Sequence, residues 1–376
     1  MGLMGHMGPM SHTAKLHRPH KSHKSHMPYI INYLMKETKV PIRISVPCRI
    51  DMGGTLDISS IYLPLQAFQP STFNIALNLR TFVTLSTYKK GYIKISSKGF
   101  ETAEFESNQL PFIHPMGLMF AIAKYFNADG LHIDIESTSP PRSALGGSSS
   151  AAVALVAAFC KLLQKELNPA HIVWLAHYIE SAVARVPCGV QDQLAAAYGG
   201  VNQWYFSLNK TGPMFEKKAI FEKEQDIENF NNNILVAYCG VPHESKDINQ
   251  QWIDSFLKGE TQEKFKEIAK LSHSFSKAVQ NREFVSAAGF MNLETEIRLK
   301  MTPDVLDNTG KKLFDIARQS GCGARFTGAG GGGCLWAVGE SDSVKKLRPQ
   351  WQSILETVKD AKILETGIDK LGICVH

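Results

Sequence analysis

Residues 140–152 read Pro-Pro-Arg-Ser-Ala-Leu-Gly-Gly-Ser-Ser-Ser-Ala-Ala, and this stretch decides the fold. Before it lies a strand-like segment, 131–136, in which apolar and polar residues alternate. After it comes an Ala/Val/Leu run that reads as a buried helix. A strand, a Gly/Ser loop and a helix start leave several backbone N–H groups unpaired and aimed at one point, where the helix dipole adds positive potential. That combination holds phosphate. Pro141 and Leu145 flank the turn, Gly146 and Gly147 let the backbone approach an anion, and Ser148, Ser149, Ser150 and Ala151 open the helix. The three hydroxyls suit phosphate oxygens or a metal ion. No Gly-Lys-Ser/Thr follows the glycines, so this is not a Walker A loop. Alone, the same pattern also fits a flexible connection ending in a serine N-cap.

Working outward, strands are expected at 42–46, 73–77, 81–86 and 92–95, with Lys89-Lys90-Gly91 as a hairpin turn. A helix is expected at 111–126, and three more at 149–166, 170–184 and 189–198. Strands at 201–207 and 234–239 precede a helical region, 247–320, broken at Pro303. A Gly-rich turn at 328–333 leads into a strand at 334–338, followed by a helix at 343–357 and short last strands at 361–365 and 372–375. Strands and helices mix without regular βαβ alternation, which favours a two-lobed α+β fold over a doubly wound sheet. The expected division is a leader at 1–26, an N-terminal domain at 27–207 and a C-terminal domain at 208–376, with loop-like residues at 209–213 and 231–233.

Composition narrows the class. An apolar fraction of 44% over 376 residues suits a soluble globular chain. Lys15, Arg18, Lys21 and Lys24 account for four of the six net positive charges, so the rest carries only +2 and offers no case for a nucleic-acid partner. The same leader holds six histidines and four methionines without periodicity, and is read as an unstructured leader or tag. No apolar stretch reaches the ~18 residues of a membrane span, so a cytoplasmic protein without a membrane partner is expected. Seven scattered cysteines without a C-x-x-C pair indicate reduced thiols. Whether the chain is a monomer or a homodimer is not legible.

Three further segments carry candidate chemistry. In Pro47-Cys48-Arg49-Ile50-Asp51-Met52-Gly53-Gly54-Thr55-Leu56-Asp57, a strand end turns through two glycines to a carboxylate. Arg49 offers a permanent cation to an anion or a developing alkoxide, and Asp57 an acceptor for sugar hydroxyls; the plainer reading is a tight turn with a surface Asp. In Pro187-Cys188-Gly189-Val190-Gln191-Asp192-Gln193, Asp192 stands at a helix start, as a simple cap or as the base for an attacking hydroxyl. Glu180, one helix away, is a candidate Mg²⁺ ligand with a loop serine, or a solvated helix charge. In 321–334, seven glycines in fourteen residues demand unusual backbone angles or close approach of another group.

Together these four segments resemble the GHMP kinase family, named for galactokinase, homoserine kinase, mevalonate kinase and phosphomevalonate kinase. Residues 47–57 look like its first motif, 140–152 like its Pro-x-x-x-Gly-Leu-Gly-Ser-Ser-Ala loop, and 323–334 like its third. The likeness spans roughly 41–376, with Ala144 where glycine is usual and Gly146-Gly147 where one glycine is usual. The doubled glycine leaves the metal-facing serine ambiguous; Ser150 is the choice. Gly189-Val190-Gln191-Asp192-Gln193 is similar to the Asp-Gln segment of anomeric sugar kinases, and Gly53–Asp57, Ala195–Gly200 and Cys239–Ser245 look closer to heptose 7-phosphate kinases and fucokinases.

The resemblance implies ATP-dependent phosphorylation of a sugar's anomeric hydroxyl, with a sugar or sugar phosphate as substrate. A heptose 7-phosphate comes first, and galactose or fucose is the alternative. It implies Asp192 as base and Arg49 as its electrostatic partner. ATP would lie on the loop, with Mg²⁺ on Ser150 and Glu180. The acceptor would meet Gly54, Thr55, Asp57, Gly189, His243, Gly330 and Gly331. Arg80, Arg142, His243 and Lys246 are candidate phosphate partners. Mevalonate or homoserine as acceptor, and a non-catalytic sensor on the same fold, are the rivals.

Overall fold

The computed structural model describes residues 41–184, 187–242 and 246–376. The leader at 1–26 and His243 lie outside the described residues. Strands β1 (Ile42–Met52) and β2 (Ser71–Thr87) flank a helical turn, α1 (Ser59–Tyr62). Then come β3 (Tyr92–Ser97), β4 (Ala103–Glu106), α2 (Gly117–Tyr125) and β5 (Leu131–Ser137). Helices α3 (Gly147–Leu162), α4 (Pro169–Val183) and α5 (Gln191–Tyr198) lead to the hairpin β6 (Val201–Asn209) and β7 (Gly212–Ala219). After α6 (Glu224–Phe230) and β8 (Ile234–Tyr238) run α7 (Lys246–Leu257), α8 (Gln262–Gln280), α9 (Phe284–Met301) and α10 (Asn308–Gln319). The chain closes with β9 (Gly323–Phe326), β10 (Cys334–Val338), α11 (Ser341–Leu355), β11 (Lys362–Ile363) and β12 (Cys374–Val375).

Two sheets result. The larger runs β12-β1-β2-β5-β3-β4, with β6 and β7 attached to the start of β2. The smaller is β11-β8-β10-β9. The fold is therefore α+β, as expected. One expectation fails: β2 and β3 do not pair across Lys89–Gly91, because β5 lies between them, antiparallel to β2 and parallel to β3. Turn residues reverse a chain without dictating its lateral neighbour. The segments expected at 73–77 and 81–86 form one long strand, whose first half pairs β6 and second half β5. The expected division after residue 207 falls inside β6, and β12 returns to the larger sheet.

A register shift at Pro47/Cys48 positions the site. Ile42, Ile44 and Val46 pack in one core with α3, whereas Cys48, Ile50 and Met52 pack in another with α8 and the smaller sheet. Pro47 pairs with Arg80 but Cys48 with Leu77, so two residues of β2, Asn78 and Leu79, bulge out opposite that step, and beyond it Arg49 reaches the carbonyl of Ala144 ahead of α3 while Asp51 reaches the Gly328 turn. The smaller sheet is buried on both faces, which explains why Ile-Leu-Val-Ala-Tyr and Cys-Leu-Trp-Ala-Val are unbroken apolar runs. Val236, Trp336 and Val338 face the larger sheet, and Leu235, Leu335 and Ala337 face α7, α10 and α11. No helix among the described residues is long and apolar enough to cross a membrane.

Candidate active site

Helix α3 starts with Gly146 at its N-cap, at φ +78°, and has no side-chain cap. The Ser150 N–H donates to the Gly146 carbonyl at 2.9 Å, so the amides of Gly147, Ser148 and Ser149 are the ones left over at the helix start. A Cβ on Gly147 would meet nothing within 4 Å, so this backbone faces open cleft. Ala144 sits at φ +60°, a left-handed conformation that glycine adopts freely and alanine at a cost of about 1–2 kcal/mol. Arg49 holds that carbonyl, its Nη1 donating to Ala144 O at 2.6 Å. The loop is tied at two more points, Arg49 N to Leu145 O at 3.1 Å and Cys334 N to Ser143 O at 3.0 Å. First and third motifs thus brace the second.

Arg49 also reaches Asp192, with Nε 2.8 Å and Nη2 2.7 Å from Oδ1. Burial works against the guanidinium charge, but Asp192 and Asp51 beside it outweigh burial and hold its pKa above the usual value. A Cβ on Gly146 would lie 3.1 Å from Oδ2 of Asp192, which places this carboxylate at the mouth of α3. The base candidate and the anion cradle are in direct contact.

On the other side stands Glu180, from α4. Ser149 Oγ donates to both its oxygens, at 3.1 and 2.9 Å, and Gln193 Nε2 donates at 2.5 Å. Burial, reinforced by the charge of Asp192 and only partly offset by those hydrogen bonds, pushes the Glu180 carboxyl up to about 7. The expected partner of Glu180 was Ser150. Ser150 is instead buried, and its Oγ donates to Pro47 O at 3.3 Å. Adjacent helix positions point about 100° apart, so only one of the two serines can face Glu180.

Asp57 is 4% exposed and accepts the Gln191 N–H on Oδ2 at 2.9 Å. Its Oδ1 has no partner within the described chain. Burial pushes its carboxyl up to about 6, with the nearby Asp192 charge adding. Thr55, at φ +73°, is a strained β-branched residue. Arg298 holds it there, Nη1 donating to Thr55 Oγ1 at 3.1 Å and Nη2 to Gly54 O at 2.6 Å. Arg298 pairs with Glu294 at 2.9 Å, Glu294 with Arg325 at 2.8 Å, and Arg325 with Asp51 at 2.9 Å. Asp51 in turn lies 3.4 Å from Arg49 and accepts the Gly328 N–H at 2.7 Å. Six alternating charges therefore run without a gap from Asp192 to the Thr55 turn. Burial alone would raise the Glu294 carboxyl, but Arg325 and Arg298 hold it below its ordinary range.

The cleft enclosed by these groups measures about 420 Å³. Its lining carries three carboxylates, Asp57, Glu180 and Asp192, three cations, Arg49, Lys98 and Arg142, and apolar side chains that include Phe100, Met116, Met119 and Ile135. Pro141, Gly146, Gly147, Ser148, Ser149 and Ala151 line it, as do Thr55, Asp57 and Gly189. Leu145, Ser150 and Gly54 lie behind that lining. Gly330 and Gly331 do not reach it; Gly328 and Ala329 do. A Cβ on Gly330 would sit 2.5 Å from Val305 O, and Gly331 N donates to that oxygen at 2.9 Å, so these glycines permit backbone packing. Arg80 is turned away, bound to Asp369 at 2.5 Å, whereas exposed Arg142 lines the cleft. Gln191, Asp51, Glu294, Arg298 and Arg325 were not singled out from sequence. Charges at i, i+4 on a helix look the same whether solvated or buried.

The profile described as "GHMP kinases N terminal domain" matches residues 115–200, and "GHMP kinases C terminal" matches 292–357. The mevalonate kinase of Thermococcus gammatolerans is 28% identical over 336 residues, covering 80% of this chain and 90% of its own. The D-glycero-alpha-D-manno-heptose 7-phosphate kinase of Campylobacter jejuni is 24% identical over 308 residues, covering 78% and 88%. Among solved structures, a D-glycero-D-manno-heptose 1-phosphate kinase from Bacteriodes thetaiotaomicron superposes with a TM-score of 0.68 at 19% identity, covering 89% of this chain and 98% of that one.

Proposed function

Because this chain belongs to the GHMP kinase family and is an ATP-dependent phosphotransferase acting on an alcohol group, we propose that it phosphorylates the anomeric hydroxyl of a sugar, with a heptose 7-phosphate as the first candidate. One observation carries the choice of acceptor. Asp57 and Asp192 flank Gln191 in the cleft wall, and Arg49, the cation bonded to Asp192, is already shared with Asp51. Such a surface accepts hydrogen bonds from a hydroxyl-rich ring and repels a carboxylate held close to it.

Asp192 then takes the proton of the attacking hydroxyl on Oδ2, the oxygen that Arg49 leaves free. Arg49 fixes the carboxylate and offsets charge as the alkoxide develops. The amides of Gly147, Ser148 and Ser149 hold the nucleotide phosphates, with the base toward Phe100, Met116 and Met119. Ser149 and Glu180 fit Mg²⁺, a hydroxyl beside a carboxylate, and the ion supplies charge neutralisation between phosphates when bound. Little covalent help from protein is needed; positioning and electrostatics dominate phosphoryl transfer. Ser149 takes the part first assigned to Ser150.

A second reading, mevalonate as acceptor, is favoured by the 28% identity to an archaeal mevalonate kinase. ADP release measured side by side with heptose 7-phosphate, galactose, fucose, mevalonate and homoserine decides between them. Turnover with a sugar and none with mevalonate is expected. Highest kcat/KM on mevalonate overturns the sugar reading, and binding of ATP and sugar without ADP release overturns the enzyme.

A further inference from the structure

Three hydrogen-bond acceptors in the wall of the cleft have no partner within the described chain: Asp57 Oδ1, Gln191 Oε1 and Asn249 Oδ1. Native proteins rarely leave buried polar atoms unpaired, because desolvation is then uncompensated. These three surround one short segment, Pro187 to Gln191. Asp57 accepts the Gln191 N–H, and Asn249 Nδ2 donates to Pro187 O at 3.4 Å. Asn74 Nδ2 donates to Gln191 O at 3.2 Å and is itself held by Trp204 Nε1 at 3.0 Å. Gln191 is thus clamped at both backbone groups and only 5% exposed, yet its side-chain oxygen has no partner among the described residues, while its Nε2 lies beside Gly54.

We propose that Gln191 and Asn249 are specificity-determining residues that read hydroxyl groups of the acceptor adjacent to the one phosphorylated. This rests on the sugar kinase reading and deepens it. Unpaired acceptors at this site call for a ligand that brings several O–H donors on neighbouring atoms. A polyol ring does so; an acid with a single free hydroxyl does not. A site built to hydrogen-bond a hydroxyl discriminates strongly against an analogue lacking it, since its own buried group is then stranded.

The test uses the full-length enzyme and whichever of D-galactose, D-mannose, L-fucose or heptose 7-phosphate turns over best, together with its monodeoxy analogues. Gln191→Met keeps length and removes the amide; Asn249→Ala is the second variant, should the first fold poorly. Each is expected to lower acceptor kcat/KM by about 10–100-fold, chiefly through KM, with nucleotide KM within about twofold. The decisive sign is selectivity. Each variant should lose little further on one particular deoxy sugar, the one missing the hydroxyl it reads. An equal loss on every analogue, or no loss on any, overturns the proposal while leaving the sugar kinase reading intact. Absence of turnover on every sugar overturns that reading and this proposal with it.

Discussion

Arg49 grips Asp192 by a single oxygen. Nε and Nη2 both approach Oδ1, at 2.8 and 2.7 Å, and Oδ2 is left at the edge of Gly146. The guanidinium therefore acts as a clamp that turns the other oxygen toward the start of α3, where the nucleotide phosphates are proposed to lie. The same arginine bonds the carbonyls of Ala144 and Leu145, through its side chain and its main chain. Base and phosphate loop are set by one residue.

Asp192→Asn keeps this shape and removes the base. We expect kcat to fall by about 10²–10⁴-fold, with nucleotide affinity within about threefold of the parent. Coupled ADP release and nucleotide titration measure the two. Near-normal turnover removes Asp192 from the base role.

The two glycines of the loop should separate. Gly146→Ala puts a Cβ at φ +78° and 3.1 Å from Asp192, so it should cost about 1–2 kcal/mol of stability and lower kcat. Gly147→Ala meets no atom and sits at a helical position, so stability should hold or rise by up to about 1 kcal/mol while nucleotide KM climbs. Denaturant unfolding paired with initial rates distinguishes them; equal effects from both would contradict the geometry.

Burial pushes Glu180 up to about 7 and Asp57 up to about 6. A carboxyl with a raised pKa binds its proton more tightly folded than unfolded. Its stabilising contribution is complete below the unfolded values, 4.5 and 3.8, and disappears as pH climbs through 6 and 7. Ligand-free protein should accordingly lose stability between about pH 5 and pH 8, by an amount on the order of 1–3 kcal/mol for the two groups together. Urea unfolding of Asp57→Asn/Glu180→Gln against the parent isolates the effect. A parallel pair of stability curves would rule it out.

Glu294 is the central anion between Arg298 and Arg325, with no exposure on any of the three side chains. Glu294→Gln leaves two buried guanidinium groups short of charge and should destabilise the fold by about 3–5 kcal/mol. It should also loosen the Thr55 turn, raising acceptor KM. A loss under about 1 kcal/mol would show that the buried chain contributes little.

Much of this architecture was legible beforehand, for local reasons. Alternation marked β5, and an Ala/Val/Leu run marked α3, whose residues are buried nearly all round. Two strands read as 73–77 and 81–86 proved continuous, because Asn78 and Arg80 interrupt the apolar pattern without the chain leaving the strand. Gly330 and Gly331 were read as ligand-facing because glycine signals close approach, and close approach there is to Val305. Arg80 was a candidate phosphate partner; it is bound to Asp369, 289 positions away in the chain.

From its order of residues alone, this chain settled what depends on neighbours a few positions apart: a helix start with spare amides at Gly147 to Ser149, strand faces, and turns needing positive φ. Contacts between distant segments were decided only on folding. Which serine meets Glu180 follows from the rotation of α3 against α4. Asp51, Arg325, Glu294 and Arg298 become one buried chain of charge because two sheets and α9 close over them. Their types announce charge, but only the exclusion of water around them makes that charge bind.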